Sequence, residues 1–135
     1  MKKEQEIKTE ADALEAVRRD AWMLAHVPDE LKTETVCLEA VQRDGMVVGY
    51  VAEDRLTRKI CLAAVKQNGL ALKGLPERCR TQAVCEAAVR QNGWAIDAVP
   101  RRLQTGALYA LSNRRIQEDA GAADIDTPLG ELYGG

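Results

Sequence analysis

Residues 57–80, TRKICLAAVKQNGLALKGLPERCR, form one unit of a pattern that returns every 24 residues along the chain. A threonine opens each unit, and an Ala-Val pair follows each of the first four threonines seven residues later. Self-similarity at a fixed period of this length indicates a repeat architecture in which each unit is one supersecondary structure. The threonines are Thr9, Thr33, Thr57, Thr81 and Thr105.

Each part of the unit predicts a helical element. Thr57 is a good N-cap, because its hydroxyl can accept a hydrogen bond from the first helical turn. The apolar residues that follow have helical spacing and predict one buried stripe on a helix of about 11–12 residues. Asn68-Gly69 is expected to end this helix, with Gly69 at positive φ. A short helix over Leu70–Leu75 and a turn begun by Pro76 complete the unit. The stripe consists of Ile60, Cys61, Ala64 and Val65.

The predicted fold is all-α: an α-solenoid of four 24-residue helical-hairpin repeats with a C-terminal capping helix and a flexible tail. No unit can bury its apolar stripe alone, so neighbouring units must stack. A strand over Met46–Val51 is the alternative for the second unit, because that stretch is rich in β-branched residues. The predicted repeat domain covers residues 1–119, with units 9–32, 33–56, 57–80 and 81–104 and a cap helix 105–119. The acidic, Gly-rich tail covers 120–135.

Length and composition favour one intracellular domain. The chain has 135 residues and no apolar run long enough to span a membrane. Its charged first residues do not resemble a secretory signal, so we expect a cytoplasmic protein without membrane contact. Neither a cofactor nor a metal is expected, because no Cys-x-x-Cys pair exists and His26 is the only histidine. No catalytic constellation is recognisable, so we do not expect an enzyme.

The four cysteines are expected to be buried, unbonded packing residues. Cys37, Cys61 and Cys85 share one repeat position on the apolar stripe. Helices in successive layers lie on the order of 8–10 Å apart, which is too far for a disulfide. Cys79 occupies a position that holds leucine in the first and fourth units, so it is expected to pack as well.

Charge is distributed unevenly along the chain. Residues 1–54 carry a net charge of −6, residues 55–115 carry +9, and residues 116–135 carry −5. The basic block is open to three interpretations: solvated repeat surface, a binding site for an anionic partner, or an intramolecular contact with the acidic tail. Nucleic acid is a less favoured partner, because few aromatic residues are available for base stacking. The candidate partner-binding residues are Lys66, Lys73, Arg78, Arg80, Arg90, Arg101 and Arg102, and Arg114 and Arg115 belong to the same block.

Two tryptophans are candidate anchors at a binding edge. Trp22 and Trp94 begin the short helices of the first and fourth units. Partial burial against the repeat is the simpler interpretation. Tryptophan is, however, enriched among the residues that contribute most to binding.

The unit resembles a known family through its Ala-Val pair, its Asp/Asn-Gly pair and its later proline. These motifs stand here at Ala40-Val41 and Asp44-Gly45, at Ala64-Val65 and Asn68-Gly69, and at Ala88-Val89 and Asn92-Gly93. Over about residues 9–111 the pattern is similar to the short bacterial helical repeat catalogued as domain of unknown function 4116. Asp20-Ala21 and Ala52 depart from it. The resemblance implies a helical-repeat architecture, as found in effector-like proteins, and implies no particular chemistry.

These observations favour a non-catalytic protein-interaction module whose basic later repeats bind an anionic or acidic partner, most simply a protein. The alternative is a peptide precursor or substrate whose repeat body is recognised by a processing enzyme that modifies the tail. Leu132-Tyr133-Gly134 is similar to the short X-Tyr-Gly motif that radical peptide spliceases modify. A nucleic-acid-binding helical repeat is the third hypothesis. The tail motif comprises Leu132, Tyr133, Gly134 and Gly135.

Overall fold

The structure, a computed structural model, describes residues 6–123, and every regular element in that range is helical. Five α-helices start at intervals of 24 residues, and each one contacts the next. No strand occurs among residues 6–123, so the all-helical prediction is confirmed there. The α-helices are α1 (Glu10–Arg19), α2 (Glu34–Arg43), α3 (Arg58–Gln67), α4 (Gln82–Gln91) and α5 (Gly106–Ala123).

Two 3-10 helices follow each of α1 to α4. The first, called here the long 3-10 helix, has six residues, and the second, called the short 3-10 helix, has three. The alternative of a strand over Met46–Val51 is wrong, because Gly45–Tyr50 is a long 3-10 helix. The other long 3-10 helices are Ala21–His26, Gly69–Gly74 and Gly93–Ala98. The short 3-10 helices are Asp29–Leu31, Glu53–Arg55, Glu77–Cys79 and Arg101–Leu103.

The threonines cap the α-helices as their repeat position predicts. The Thr57 hydroxyl accepts a hydrogen bond from the Ile60 backbone N–H at 3.2 Å. Thr9, Thr33, Thr81 and Thr105 make the same bond to the N–H three residues later. Each α-helix therefore begins with a paired backbone donor in its first turn.

The expected reason for the glycine is wrong. Asn68 ends α3 in an extended conformation (φ −152°), and its side chain then accepts from Leu70 N–H to begin the next 3-10 helix. Gly69 is not in the left-handed region, so a positive φ is not why glycine is needed. A Cβ on Gly69 would lie 2.3 Å from the carbonyl oxygen of Ala88 in α4. Glycine is therefore required by the close approach of the next unit.

Hydrogen bonds between units stabilise the same close approach of consecutive units. Gly45 N–H donates to Gln67 Oε1, and Gly69 N–H donates to Gln91 Oε1, each at 2.6 Å. The last junction uses another pair: Ser112 Oγ in α5 donates to the Gly93 carbonyl oxygen at 2.7 Å. From the second unit onward, consecutive units are thus joined by polar contacts at the glycine position as well as by apolar packing.

A single apolar core runs through the described residues. The predicted stripe is confirmed in α3, where all four of its residues are buried. All four cysteines are buried and unbonded, as predicted. The core is therefore assembled from small and branched side chains, which suits layers that approach one another closely.

Helix α5 is longer than the sequence pattern predicts. It continues to Ala123, four residues beyond the expected end at Asp119, so the first residues assigned to the tail are helical. Arg115 supports this extension by pairing with Glu118 and Asp119 at 3.8 Å and 3.4 Å. The remainder of the predicted tail, including Leu132, Tyr133, Gly134 and Gly135, lies outside the described residues.

Candidate anion-binding groove

The α-helices share an outer face, defined here by the repeat positions of Glu39 and Lys66. In the first two helices the arginines of this face are paired with carboxylates. Glu39 lies 3.5 Å from Arg18 of α1 and 3.6 Å from Arg43 of its own helix. In α1, Glu15 pairs with Arg19 at 2.9 Å. One carboxylate per helix therefore pairs with neighbouring arginines.

Each later helix has a basic residue on this face but lacks the carboxylate at the Glu39 position. Lys66, Arg90 and Arg114 occupy one repeat position in α3, α4 and α5. The position of Glu39 is taken there by Ala63, Ala87 and Leu111. Within residues 6–123, none of the three basic side chains forms a hydrogen bond or an ion pair. From α3 onward the outer face therefore carries a row of basic side chains that form no ion pair within residues 6–123.

A cavity of about 500 Å³ lies between α4 and α5 on this face and is called here the basic groove. Arg90, Arg102 and Arg114 line it. Glu86 is the single acidic residue among its lining side chains. The volume falls within the usual range for ligand sites. The remaining lining is mostly aliphatic and includes Cys85, Leu103, Ala107, Leu108 and Leu111.

A second cavity, also of about 500 Å³, lies between α2 and α3. Lys59 and Lys66 line it together with Leu38 and Leu62. Because Lys66 has the repeat position of Arg90, both cavities open on the outer face. This second cavity presents lysines, whereas the basic groove presents arginines, whose planar guanidinium groups match carboxylates and phosphates in a bidentate way.

Two candidate residues of the basic block are engaged within the fold. Arg78 pairs with Glu53 at 2.8 Å and also donates to the Glu53 backbone carbonyl. Arg80 donates to the carbonyl oxygens of Leu75 and Ala98, both at 2.9 Å. These side chains connect neighbouring units and lie outside the basic groove.

The other candidates are divided between the groove and open surface. Arg90 and Arg102 line the basic groove, and Lys66 lines the cavity between α2 and α3. Lys73 and Arg101 are exposed on 3-10 helices and line neither cavity. The structure thus brings together only part of the predicted set.

The tryptophans lie on the long 3-10 helices, away from the lining of either cavity. Trp94 is 60% exposed. Trp22 is 46% exposed; its indole N–H donates to Asp44 at 2.8 Å, and its ring meets Tyr50 edge-on at 5.7 Å. Trp22 is therefore partly fixed by the second unit, whereas Trp94 presents most of its surface to solvent.

The buried thiols of Cys61 and Cys85 are held in the neutral form. Burial, and then the adjacent Cys79 thiol, raises the pKa of Cys61 to about 12. Burial raises the pKa of Cys85, in the groove, to about 11, although Arg80 and Arg102 act in the opposite direction. Because the thiolate is the reactive form, these cysteines offer no nucleophile near neutral pH. Over the described part of the chain no cluster of three or more His, Cys, Asp or Glu side chains could hold a metal ion.

Sequence reasoning missed the aliphatic half of the groove. Leu103, Leu108 and Leu111 were given no binding role, and Arg114 was placed in the basic block but not among the candidate partner-binding residues. The usable signal was the loss of a carboxylate at the Glu39 position after the second unit. That change marks where the outer face stops being balanced.

Residues 57–104 match the family model described as Domain of unknown function (DUF4116). They correspond to the third and fourth 24-residue units, which include α3, α4, Arg90 and Arg102. The resemblance seen in the sequence is therefore confirmed over these two units. No curated protein and no solved structure matches the chain.

Among the helices of residues 6–123, none combines the length and the apolar character that a membrane crossing requires.

Proposed function

We propose that the chain is a non-catalytic interaction module whose basic groove binds an acidic, aliphatic peptide segment of a partner protein. One observation carries the proposal: Arg90, Arg102 and Arg114 surround an aliphatic lining and make no ion pair or hydrogen bond within residues 6–123. Carboxylates would pair with the guanidinium groups, and leucine-like side chains would cover the lining.

The architecture that supports this module is an α-solenoid of four 24-residue units, with α5 as the closing helix. The period of the α-helices, the contacts between successive helices and the Gly–Gln bonds between units support it. In such an array each unit contacts only its neighbours, and a binding surface extends along the stack. A row of cations at one repeat position is the kind of surface that this arrangement produces.

A protein partner fits the groove better than single-stranded nucleic acid does. Binding of single strands relies on aromatic platforms that stack bases. The groove is lined by aliphatic side chains, and Trp22 and Trp94 lie elsewhere. A phosphate chain would satisfy the arginines but would leave the leucines uncovered.

The proposal is tested with a fluorescein-labelled nonapeptide that contains three Glu-Glu-Leu repeats. Fluorescence anisotropy in about 0.1 M salt should give a dissociation constant for the wild-type chain and a value at least about tenfold weaker for the double variant Arg90→Glu/Arg114→Glu. The matched control is Arg58→Glu/Lys73→Glu, which changes the net charge equally at exposed positions outside the groove.

Two results would count against the proposal. Equal weakening in the groove and control variants would mean that only net charge matters. Tighter binding of a labelled thymidine dodecamer than of the peptide, lost in the same groove variant, would favour nucleic acid instead. A circular dichroism spectrum for each variant establishes that its helices are intact.

A further inference from the structure

One segment of the same chain has a composition that complements the arginines and leucines of the basic groove. Residues 124–135, DIDTPLGELYGG, contain three acidic residues, four large apolar residues and no lysine or arginine. Acidic and aliphatic residues alternate in this segment, which matches the arginines and leucines of the groove. The acidic residues are Asp124, Asp126 and Glu131, and the large apolar residues are Ile125, Leu129, Leu132 and Tyr133.

The geometry of α5 brings this segment within reach. The helix lines the groove from Ala107 to Arg114 and ends at Ala123. At 1.5 Å per residue, Ala123 is about 14 Å along the helix from Arg114 and about 24 Å from Ala107. Twelve residues can span at most about 40 Å when extended. A chain that turns back after Ala123 can therefore reach the whole groove.

The last turns of α5 do not compete for the groove arginines. Glu118 and Asp119 are engaged with Arg115 of the same helix. Arg90, Arg102 and Arg114 keep no acidic partner in the described part of the chain. Beyond Asp119, the next carboxylates along the sequence are those of residues 124–135.

We propose that residues 124–135 bind the basic groove of their own chain and compete there with an acidic partner. This inference rests on the proposed function of the groove, which it deepens by naming an intramolecular competitor. A tethered segment has an effective concentration on the order of millimolar. An intrinsic dissociation constant of about 0.1–1 mM would then occupy the groove half of the time or more, and would weaken partner binding about two- to tenfold.

The test neutralises the segment in the full chain. The variant Asp124→Asn/Asp126→Asn/Glu131→Gln should bind the labelled Glu-Glu-Leu nonapeptide about two- to tenfold more tightly than the wild type. The matched control, Glu30→Gln/Asp54→Asn/Glu77→Gln, removes the same number of negative charges at exposed sites outside the groove. It should change the affinity by less than about twofold, because exposed charges at a distance are screened.

A second measurement separates this inference from the proposed function. In two-dimensional amide NMR spectra, the groove residues Leu103, Leu108, Leu111 and Arg114 should shift between the wild type and the segment variant. The same amides should move toward the variant's positions when salt is raised to about 0.5 M.

Unchanged groove amides, together with equal peptide affinity in the segment and control variants, would overturn the intramolecular contact. The proposed function would survive that result as long as the groove double variant loses the peptide. Conversely, shifted amides in a wild-type chain that binds no peptide would support the contact and contradict the proposed function.

Discussion

In α1 and α2 the arginines of the outer face are paired with Glu15 and Glu39, whereas Lys66, Arg90 and Arg114, at one repeat position of α3, α4 and α5, form no ion pair within residues 6–123. The short 3-10 helices change in the same direction along the chain. Asp29-Glu30 in the first unit and Glu53-Asp54 in the second become Glu77-Arg78 and finally Arg101-Arg102.

The interior does not follow this change. Val17, Val41, Val65 and Val89 share one repeat position and are all fully buried. Consecutive α-helices contact one another throughout the array. In a repeat fold the interior and the surface charge can vary independently, because positions that face the neighbouring unit are constrained by packing and positions that face solvent are not. The difference between the two regions is therefore one of surface chemistry on a shared interior.

The largest expected effect tests the shared interior. Val65→Asp would bury a carboxylate without a partner, and we expect a loss of about 4 kcal/mol or more in the free energy of unfolding. The same change at Val17 should unfold mainly the first unit, because that unit has a neighbour on one side only within residues 6–123. Urea unfolding followed by circular dichroism gives the first quantity, and amide hydrogen exchange in α1 and α4 gives the second.

Lys66→Asp is the control for Val65→Asp, because Lys66 is the exposed neighbour in the same helix. Its unfolding free energy should stay within about 0.5 kcal/mol of the wild type. A Val65→Asp protein as stable as the wild type would refute the shared interior.

The next effect concerns the junctions between units. Gly69→Ala places a Cβ 2.3 Å from the Ala88 carbonyl oxygen, and we expect it to cost about 2–4 kcal/mol, because backbone must move to admit it. Gly49→Ala is the matched control, since nothing lies within 4 Å of its added Cβ. That change should be neutral or stabilising by up to about 1 kcal/mol. Similar melting temperatures for the two variants would contradict the close approach of the units.

The first junction is expected to be more tolerant. Ala21 already occupies the glycine position there, and Arg43 replaces the glutamine that accepts from glycine at the next two junctions. An arginine cannot accept that hydrogen bond. The first junction thus lacks the Gly–Gln contact that joins the second, third and fourth units, and we expect its packing to be less tightly specified.

The sequence predicted the elements that depend on local chemistry. Thr57 and its equivalents cap helices because the cap requires only a hydroxyl and the three residues that follow. The apolar stripe of α3 and the turn after Pro76 are local in the same sense. Period and pattern were therefore sufficient for element type and for most boundaries.

The features that the sequence did not predict depend on distances between units. The role of Gly69 follows from the position of Ala88, 19 residues later, and the role of Arg80 follows from the Ala98 carbonyl, 18 residues later. No single-sequence pattern gives the spacing of consecutive layers. Arg78 and Arg80 were grouped with binding residues by charge, and the sequence did not predict that both side chains also connect units.

A smaller effect, on peptide affinity, should follow when a later helix receives the carboxylate that α1 and α2 have on the outer face. Leu111→Glu restores at the end of the array the arrangement of Arg18, Glu39 and Arg43, with Arg90 and Arg115 at the corresponding positions. We expect affinity for the Glu-Glu-Leu nonapeptide to fall about tenfold, because the new carboxylate competes for the groove cations.

Leu111→Gln is the control for this substitution, because it has the same size without the charge. Its affinity should fall by no more than about threefold. Equal losses in both variants would mean that the aliphatic lining, rather than the cations, determines binding.

The smallest expected effect distinguishes the first helix from the later ones. Asp12 adds to the Thr9 cap by accepting from the Lys8 and Thr9 backbone N–H groups at 3.0 Å and 3.2 Å, and the equivalent positions in the other helices hold apolar residues. The hydrogen bond from the Lys8 backbone N–H is the main reason why the pKa of Asp12 lies below its usual value of 3.8. Because the pKa is lower in the folded state, this contribution to stability is present above pH 3.8 and is lost as pH falls through the folded-state pKa.

Asp12→Asn keeps an acceptor but cannot titrate. Hydrogen exchange in α1 of this variant should therefore lose this part of its pH dependence between about pH 5 and pH 3, while exchange in α4 should be unchanged. A wild-type α1 whose exchange follows that of the variant at every pH would show that the carboxylate adds nothing to the threonine cap.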